Sequence, residues 1–519
     1  MRRPAFACAG PYPGFAARRG ALVRLASPSF GLDSRRASTG AWVRIDRLLR
    51  WLAALCVAAS SGGCLLSKDL PDPALDVPPV YRSGGPADPD APPTLDWWQG
   101  FGAPELTVLM EEAQRVNLDI AAAVARFKQA DAQARQAGAA LLPSFQGNGQ
   151  ESYSRTSGSS SSGLSIGGRE VVNYTASLSA SYQLDFWGGN RDALQSAEET
   201  AIANRFDRDV TAVTTLTAVA NAYFNVLASQ DRLRTAARNI ASAERILNAI
   251  RDRRQAGTGT DLDVAQQESV LANQKALVPP LRQTLDQNVN ALAVLVSRPS
   301  ESLHVAGGSL NRIATPRITP GLPSELLTQR PDIRRQEAQL ASATANIGNA
   351  RAQFFPNIQL TGQGGYQSAS LVSLFNPHAA FFSLVGAATQ PIFDGGKILG
   401  NFEFAQARQE ELLQTYRKTV IQAFADVDNA LYSVKQTTIK LALQKEVVRS
   451  SRRAFELAEQ QLRAGTADIV TVLNTQLTLF QAEDSLWQAQ LARLLAFVSL
   501  YQALGGGWEP RMETPVNAR

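Results

Sequence analysis

A unit of roughly two hundred residues occurs twice in this 519-residue chain, and that duplication limits the folds open to it. Ala140-Leu-Leu-Pro143-Ser-Phe is answered by Gln353-Phe-Phe-Pro356-Asn-Ile. Asp185-Phe-Trp-Gly188-Gly189-Asn is answered by Ile392-Phe-Asp-Gly395-Gly396-Lys, and Ala256-Gly-Thr258 by Ala464-Gly-Thr466. The offsets between these pairs are 213, 207 and 208 residues. Small indels therefore separate two copies of one plan, joined by a Pro- and Gly-bearing connector. The boundaries read as 96–298 for the first copy, 299–323 for the connector and 324–508 for the second copy, with a tail at 509–519.

Each copy opens with an Ala- and Gln-rich helix, over 105–141 or 325–353, stopped by Pro143 or Pro356. Two strands follow. In Tyr174 to Phe186 the residues Tyr174, Ala176, Leu178, Ala180, Tyr182, Leu184 and Phe186 share one face, with Thr, Ser, Gln and Asp on the other. Strict period two over this length fits a tilted transmembrane strand with an apolar lipid face and a polar lumen, and equally a half-buried strand of a soluble sheet. The Ser/Gly-rich stretch Ser154 to Gly168 reads as the loop of a hairpin.

A helix free of Pro comes next, over 190–255 or 397–463. At 1.5 Å per residue each reaches roughly 100 Å, several times the roughly 30 Å of a bilayer's hydrocarbon core. In the second, Val420, Phe424, Val427, Leu431, Val434, Leu441, Val448, Phe455 and Leu462 lie on a heptad frame, which demands helical neighbours. A turn at Gly257-Thr-Gly259 or Gly465-Thr466 reverses the chain, and a shorter helix returns over 263–297 or 469–503. The two shorter helices of each copy together match its long one, so they stack end to end beside it. One chain supplies four strands, too few to close a barrel, and an open edge is not tolerated in lipid. Several chains must share one barrel.

The N-terminus supplies the address. Arg44 to Arg50 is basic, Trp51 to Ala59 apolar, and Ser60-Ser-Gly-Gly-Cys64 small, the pattern of a secretory signal followed by a cleavage site. Residues 1–42 read as an extension ahead of that signal. Cysteines stand at 8, 56 and 64, so Cys64 alone survives cleavage and no internal disulfide forms. The net charge of +5 is concentrated here: residues 1–63 carry +8, leaving the remainder at −3. A mildly acidic mature chain has no basic surface for nucleic acid. Residues 64–95 read as a Pro-rich extended tether. Two histidines, His304 and His378, leave almost no material for a histidine-based metal site or triad. Asp394-Gly-Gly-Lys397 lacks the spacing of a phosphate-binding loop. We expect no enzyme, cofactor or metal site.

Trp97-Trp-Gln-Gly-Phe101, Asn117-Leu-Asp119, Gly321-Leu-Pro-Ser-Glu-Leu-Leu-Thr-Gln-Arg-Pro-Asp-Ile-Arg334 and Ile347 to Pro356 resemble, in order, the outer-membrane efflux family of TolC-like channels. Ser-Gly-Gly-Cys64 resembles a bacterial lipoprotein box, and within the family the chain resembles the lipoprotein, NodT/OprM-like branch. The resemblance implies a mainly α fold with a small transmembrane β part. A long helical barrel would continue into a twelve-stranded β-barrel made by a homotrimer, four strands per chain. It implies acylation at Cys64, a place in the outer membrane, and a role as exit duct for an inner-membrane pump reached through a periplasmic adaptor. Resistance-nodulation-division drug or metal efflux is the favoured system. A protein-secretion duct and a structural periplasm-spanning lipoprotein are the alternatives.

Two sites follow from that implication. The turns at Gly257, Thr258, Gly465 and Thr466 would be periplasmic tips that meet the adaptor. Thr471, Asn474, Thr478, Gln481, Ser485 and Gln488 form an uncharged polar stripe on the last helix, as expected for a water-filled lumen. Its tip-proximal end would form a gate with Asp261, Asp263, Leu462 and Asp468. Thr471 and Asn474 stand where several relatives carry aspartate.

Overall fold

The computed structural model of the chain describes residues 70–82, 96–155, 170–316 and 321–507. The signal segment, Cys64, most of the Ser154–Gly168 loop and the tail at 509–519 lie outside the described residues.

The first repeat runs α1 (Pro104–Val116), α2 (Leu118–Ala139), β1 (Ser144–Arg155), β2 (Glu170–Leu184), α3 (Gly189–Gln255), α4 (Asp261–Ala276) and α5 (Val278–Leu295). The second runs α6 (Pro323–Gln329), α7 (Pro331–Ala352), β3 (Asn357–Ser368), β4 (Ala380–Thr389), α8 (Lys397–Arg463) and α9 (Ile469–Ala503). The long helices fall where the absence of Pro put them, at 67 residues each. Gly188 and Gly396 precede them in left-handed conformation, so the motif Asp185–Asn190 aligns at 208 residues rather than 207. Gly188 matches Gly396, not Gly395.

Three expected single helices are pairs. The stretch 105–141 divides at Asn117, whose side chain accepts from the Asp119 and Ile120 amides and donates to the Leu295 carbonyl at 2.7 Å. An N-cap inside a periodic run ends one helix and starts another. The stretch 325–353 divides at Arg330, ahead of Pro331. The stretch 263–297 starts at Asp261 and divides at Leu277, since Pro279 and Pro280 carry no amide hydrogen for the turn before them.

The four strands form one antiparallel sheet in the order β1-β2-β3-β4. Registers such as Gln146↔Ser179↔Gln363 put every polar residue of β2 opposite polar or small neighbours. Gln363 donates to Ser177 Oγ at 3.1 Å and Gln359 to Ser181 Oγ at 2.9 Å. The opposite face carries Phe145, Leu178, Ala180, Tyr182, Leu360, Phe382 and Leu384. Leucines on it are exposed, Leu384 at 84%. An open face of this composition suits lipid rather than water. Among the described residues the outer edges of the sheet, on β1 and β4, are unpaired.

In the helical part α3 packs on α2, α4 and α5 of its own repeat and on α7 and α9 of the other. The heptad residues of α8 are buried or half-buried against these neighbours, Val420 and Val427 completely. The principal core gathers Trp98, Phe101, Leu106, Met110, Phe224, Leu292, Leu310 and Val498 where the connector crosses the bundle. Acidic side chains clamp that connector: Glu105 accepts from the Ala306 and Gly307 amides, and buried Asp231 from the Leu310 amide at 2.8 Å. The tether is not free throughout. Arg417 Nε donates to the Pro73 carbonyl at 2.7 Å, and Tyr81 is buried among Leu326, Ile333 and Val420.

Candidate functional site: tips, gate and lumen

The two reversals are built alike, bond for bond. Gly257 and Gly465 both adopt φ +74°, with nothing within 4 Å of where a Cβ would stand, so backbone conformation alone selects glycine there. The Thr258 amide and hydroxyl both donate to the Arg253 carbonyl, at 2.9 and 3.1 Å. Thr466 does the same to Gln461, at 2.9 and 3.2 Å. These are Schellman closures in which Gly is the left-handed residue and Thr saturates the helix end. All four residues are exposed apart from their own turns.

The return helices are capped differently. Thr260 and Asp263 form a reciprocal capping box, with the Thr260 amide on Asp263 Oδ2 at 2.9 Å and the Asp263 amide on Thr260 Oγ1 at 3.2 Å. At the second tip Asp468 accepts from the Thr471 amide at 2.9 Å and its hydroxyl at 2.5 Å. Those bonds, hydroxyl first and amide second, hold the Asp468 carboxyl below the usual carboxylate range. Asp261 pairs with Arg254 at 2.6 Å.

A cleft of about 210 Å³ between the tips brings together Asp263, Leu462 and Asp468 with Arg253, Ile250 and Ile469. Asp261, Thr471 and Asn474 are not among its walls. Of the six residues read as a gate, three share the cleft and two of those double as helix caps. Among the described residues no group of three His, Cys, Asp or Glu side chains is placed to hold a metal ion.

Thr471, Asn474, Thr478, Gln481, Ser485 and Gln488 are all exposed, and the packing face contains buried Leu473, Phe480 and Val498. Trp487 donates to Thr235 at 2.8 Å and Gln490 to the Leu310 carbonyl of the connector at 3.0 Å. At about 100° per residue, Ser485 points some 200° away from Trp487. The polar stripe therefore looks away from the connector belt.

Two constellations escaped the sequence. Gln267 and Gln476 are fully buried against one another, Nε2 to Oε1 at 3.3 Å, with Gln267 also on the Ala243 carbonyl. Glutamine at helical spacing carries no signal of burial, so neither residue stands out in the sequence. Arg330 holds Asp332 through two bonds, 3.0 and 2.7 Å, and reaches Asp426 and the Ala503 carbonyl. Burial pushes the Asp332 carboxyl up, but the Arg330 guanidinium and neighbouring amides outweigh it, and the net lies below the usual range. The residues stand together in Gln329-Arg-Pro-Asp332, within the segment that carries the family resemblance.

A sheet with one lipid-suited face, joined to helices of 67 residues and to a return helix with an exposed, uncharged polar stripe, has the make-up of a membrane-anchored duct. Residues 109–298 and 322–506 match the family described as outer membrane efflux protein. The chain belongs to that family and is an outer-membrane efflux channel with a periplasmic helical tunnel. It is 40% identical over 446 residues, 84% of this chain and 93% of the other, to the pyoverdine export outer membrane protein OpmQ of Pseudomonas aeruginosa. Among solved structures it resembles the outer-membrane channel OprN, with 25% identity, TM-score 0.80, and coverage of 86% of this chain and all of that one. It also resembles the open state of the Neisseria gonorrhoeae MtrE channel, with 29% identity, TM-score 0.76, and coverage of 86% and 98%.

Proposed function

We propose that three copies of this chain close one duct, which takes cargo from an inner-membrane pump through a periplasmic adaptor docked at the Gly257-Thr258 and Gly465-Thr466 tips. One observation carries the assembly. The face of α8 left open is the face that α3 buries. Helices α3 and α8 align residue for residue from Gly189 and Lys397. At that alignment, exposed Tyr432, Ile439, Leu443 and Val447 correspond to buried Phe224, Asp231, Thr235 and Asn239. The latter are covered by Phe101 of the first repeat, Ser309 and Leu310 of the connector and Trp487 of the second repeat. What must cover the former is the first repeat of another copy, whose outer faces carry small residues: Ala121, Ala122, Ala125 and Ala132 on α2, and Ala265, Ser269 and Ala272 on α4. Large side chains on one edge and small ones on the other make a heterologous contact, the kind that builds a ring when its rotation closes.

Mapping β2 onto β4 at 208 residues and β1 onto β3 at the 213 of Pro143 and Pro356 carries the β2–β3 register, Ser181↔Thr361, onto the seam and puts Thr389 of one copy opposite Asn148 of the next. Cysteines at these two positions should cross-link into covalent trimers under mild oxidation. A ladder ending at dimers, or no cross-link in folded protein, overturns this arrangement.

The further assignments follow from the trimer. Cys64 is the acylated N-terminus, and mass spectrometry of the mature chain tests it. Asp263, Leu462 and Asp468 narrow the tip, with Asp261, Thr471 and Asn474 at its lumenal approach. The pump is of the resistance-nodulation-division class on the sequence reading. Pyoverdine is the first cargo to test, on the strength of the 40% relative, ahead of drugs and metals. Deleting the gene and measuring pyoverdine in the medium beside sensitivity to a drug and metal panel separates them.

A further inference from the structure

The break between α4 and α5 opens a cavity of about 520 Å³ against α3 and α9. It has no counterpart in the second repeat, where the aligned residues Ser485, Trp487 and Gln488 lie inside the unbroken helix α9. Its cause is local: Pro279 and Pro280 offer no amide to the carbonyls of Lys275 and Ala276, and the chain swings away at Leu277. The floor is apolar, made of Ala236, Leu281, Leu477 and Phe480, and Leu277 stands half-exposed at the rim. Asn239, Asn273 and Gln481 supply amides around it, and Ala276 contributes a helix-end carbonyl. Arg232 and Asp484 flank the mouth and satisfy each other, Nε to Oδ1 at 2.6 Å and Nη2 to Oδ2 at 3.0 Å. The mouth thus carries no net charge. Gln481 belongs to the polar stripe, so the cavity opens on the stripe's side and away from the connector belt.

We propose that this cavity is a binding site for an amphipathic organic molecule without net charge, an aromatic or aliphatic body with hydroxyl or amide groups at one end. It rests on the reading of the stripe as lumen, and would present three equivalent sites inside the tunnel. An apolar floor, several convergent hydrogen-bonding groups and this volume match the general form of small-molecule sites. A charged solute would have to break the Arg232–Asp484 pair to gain a partner, whereas an uncharged amphiphile uses the floor and rim as they stand. The duct then holds cargo briefly on its way out rather than acting as inert pipe.

The probe is 4-nitrophenyl β-glucoside, an uncharged aromatic body with a hydroxylated end, applied to purified full-length trimers. A Leu277→Cys variant is alkylated with a water-soluble maleimide, beside Val294→Cys, an exposed position on α5 outside the cavity. At roughly ten times a millimolar Kd the probe should slow alkylation at 277 by about tenfold and leave 294 unchanged. Glucose at the same concentration should do nothing. Adding Gln481→Trp, which fills the mouth from an exposed position, should abolish protection. Equal rates at 277 with and without probe, equal slowing at both positions, or protection that survives Gln481→Trp overturns the site. Conductance of the same trimers in planar bilayers is measured separately. A conducting trimer without protection sinks the cavity alone, and a non-conducting one sinks the duct.

Discussion

Helices α3 and α8 have the same length, the same left-handed glycine before them and the same Schellman turn after them, yet their burial differs. α3 is closely enclosed, with Val219, Ala220, Phe224 and Val226 completely buried. α8 buries its heptad seam and leaves large apolar side chains open along much of its length. Duplication makes two equal halves, but a monomer can complete the surroundings of only one of them. The incomplete half is therefore where the proposed assembly would close, and the same logic applies to β2, paired on both sides, and β4, paired on one.

The sharpest way to break this comparison is to charge the open face of α8. Ile439→Asp together with Leu443→Asp should leave helical content intact and abolish trimers, read by circular dichroism and native mass spectrometry. A carboxylate driven into an apolar contact costs several kcal/mol at each of three seams. Aspartate at 439 copies what α3 has at the aligned position, Asp231. There it is tolerated because the Ser309 hydroxyl, the Leu310 amide and Arg234 all donate to it. If the double variant still forms trimers, the seam lies elsewhere.

The two repeats also break their opening helices by different chemistry. Asn117 does it with a neutral cap, Arg330-Pro331-Asp332 with a buried ion pair. Arg330→Met should cost roughly 3 kcal/mol, because Asp332 and Asp426 lose their shared cation in a largely enclosed place. The pH dependence has a definite sign. Asp332 has a folded pKa below its ordinary value, so its contribution is present above the unfolded carboxylate range and is lost as pH falls through the folded value. Thermal stability of wild type should drop below about pH 4, and that of Asp332→Asn should start lower and change less over the same window. Parallel pH profiles for the two would remove the ion pair from the account.

How much of this was legible beforehand depends on the kind of signal. Periodicity without Pro fixed α8 and α9 to the residue, because long helices integrate many weak preferences over many turns. Strict alternation gave the facing of β2 for the same reason. The breaks at Asn117 and Leu277 were missed because a single cap or a Pro pair inside an Ala-rich run is outvoted by its surroundings. In the candidate gate, residue type identified Asp263 and Asp468 but not what occupies them. A carboxylate at the start of a helix serves as cap before it serves as anything else, and Thr260 and Thr471 claim both. The buried Gln267–Gln476 pair left no trace in composition, since glutamine at helical spacing is ordinary on a wet face.

The sheet offers a comparison between adjacent residues. Leu178 and Ser179 are neighbours in β2 with opposite facing. Leu178→Arg should destabilise the inserted trimer by about 2–4 kcal/mol if it meets hydrocarbon near mid-membrane, and Ser179→Arg should insert normally and alter conductance instead. Resistance of the trimer to heat in detergent, with bilayer recordings, reads both. Equal tolerance of the two substitutions would place the sheet outside lipid.

The smallest effect distinguishes the tips. Thr260→Ala removes one side of a capping box and should cost about 1 kcal/mol, independent of pH, since the threonine hydroxyl does not titrate there. Asp468 does titrate, and its folded pKa lies below its ordinary value because Thr471 donates to it twice. Its cap is therefore complete at neutral pH and weakens as pH falls through that depressed value, while the Thr260 hydroxyl remains in place. Acid should loosen the second tip first. In planar bilayers the wild-type resting conductance should rise as pH is lowered toward that value. Asp468→Asn, which cannot change charge, should flatten the rise, and Thr260→Ala should leave it intact. A rise that survives Asp468→Asn would remove this cap from the acid response.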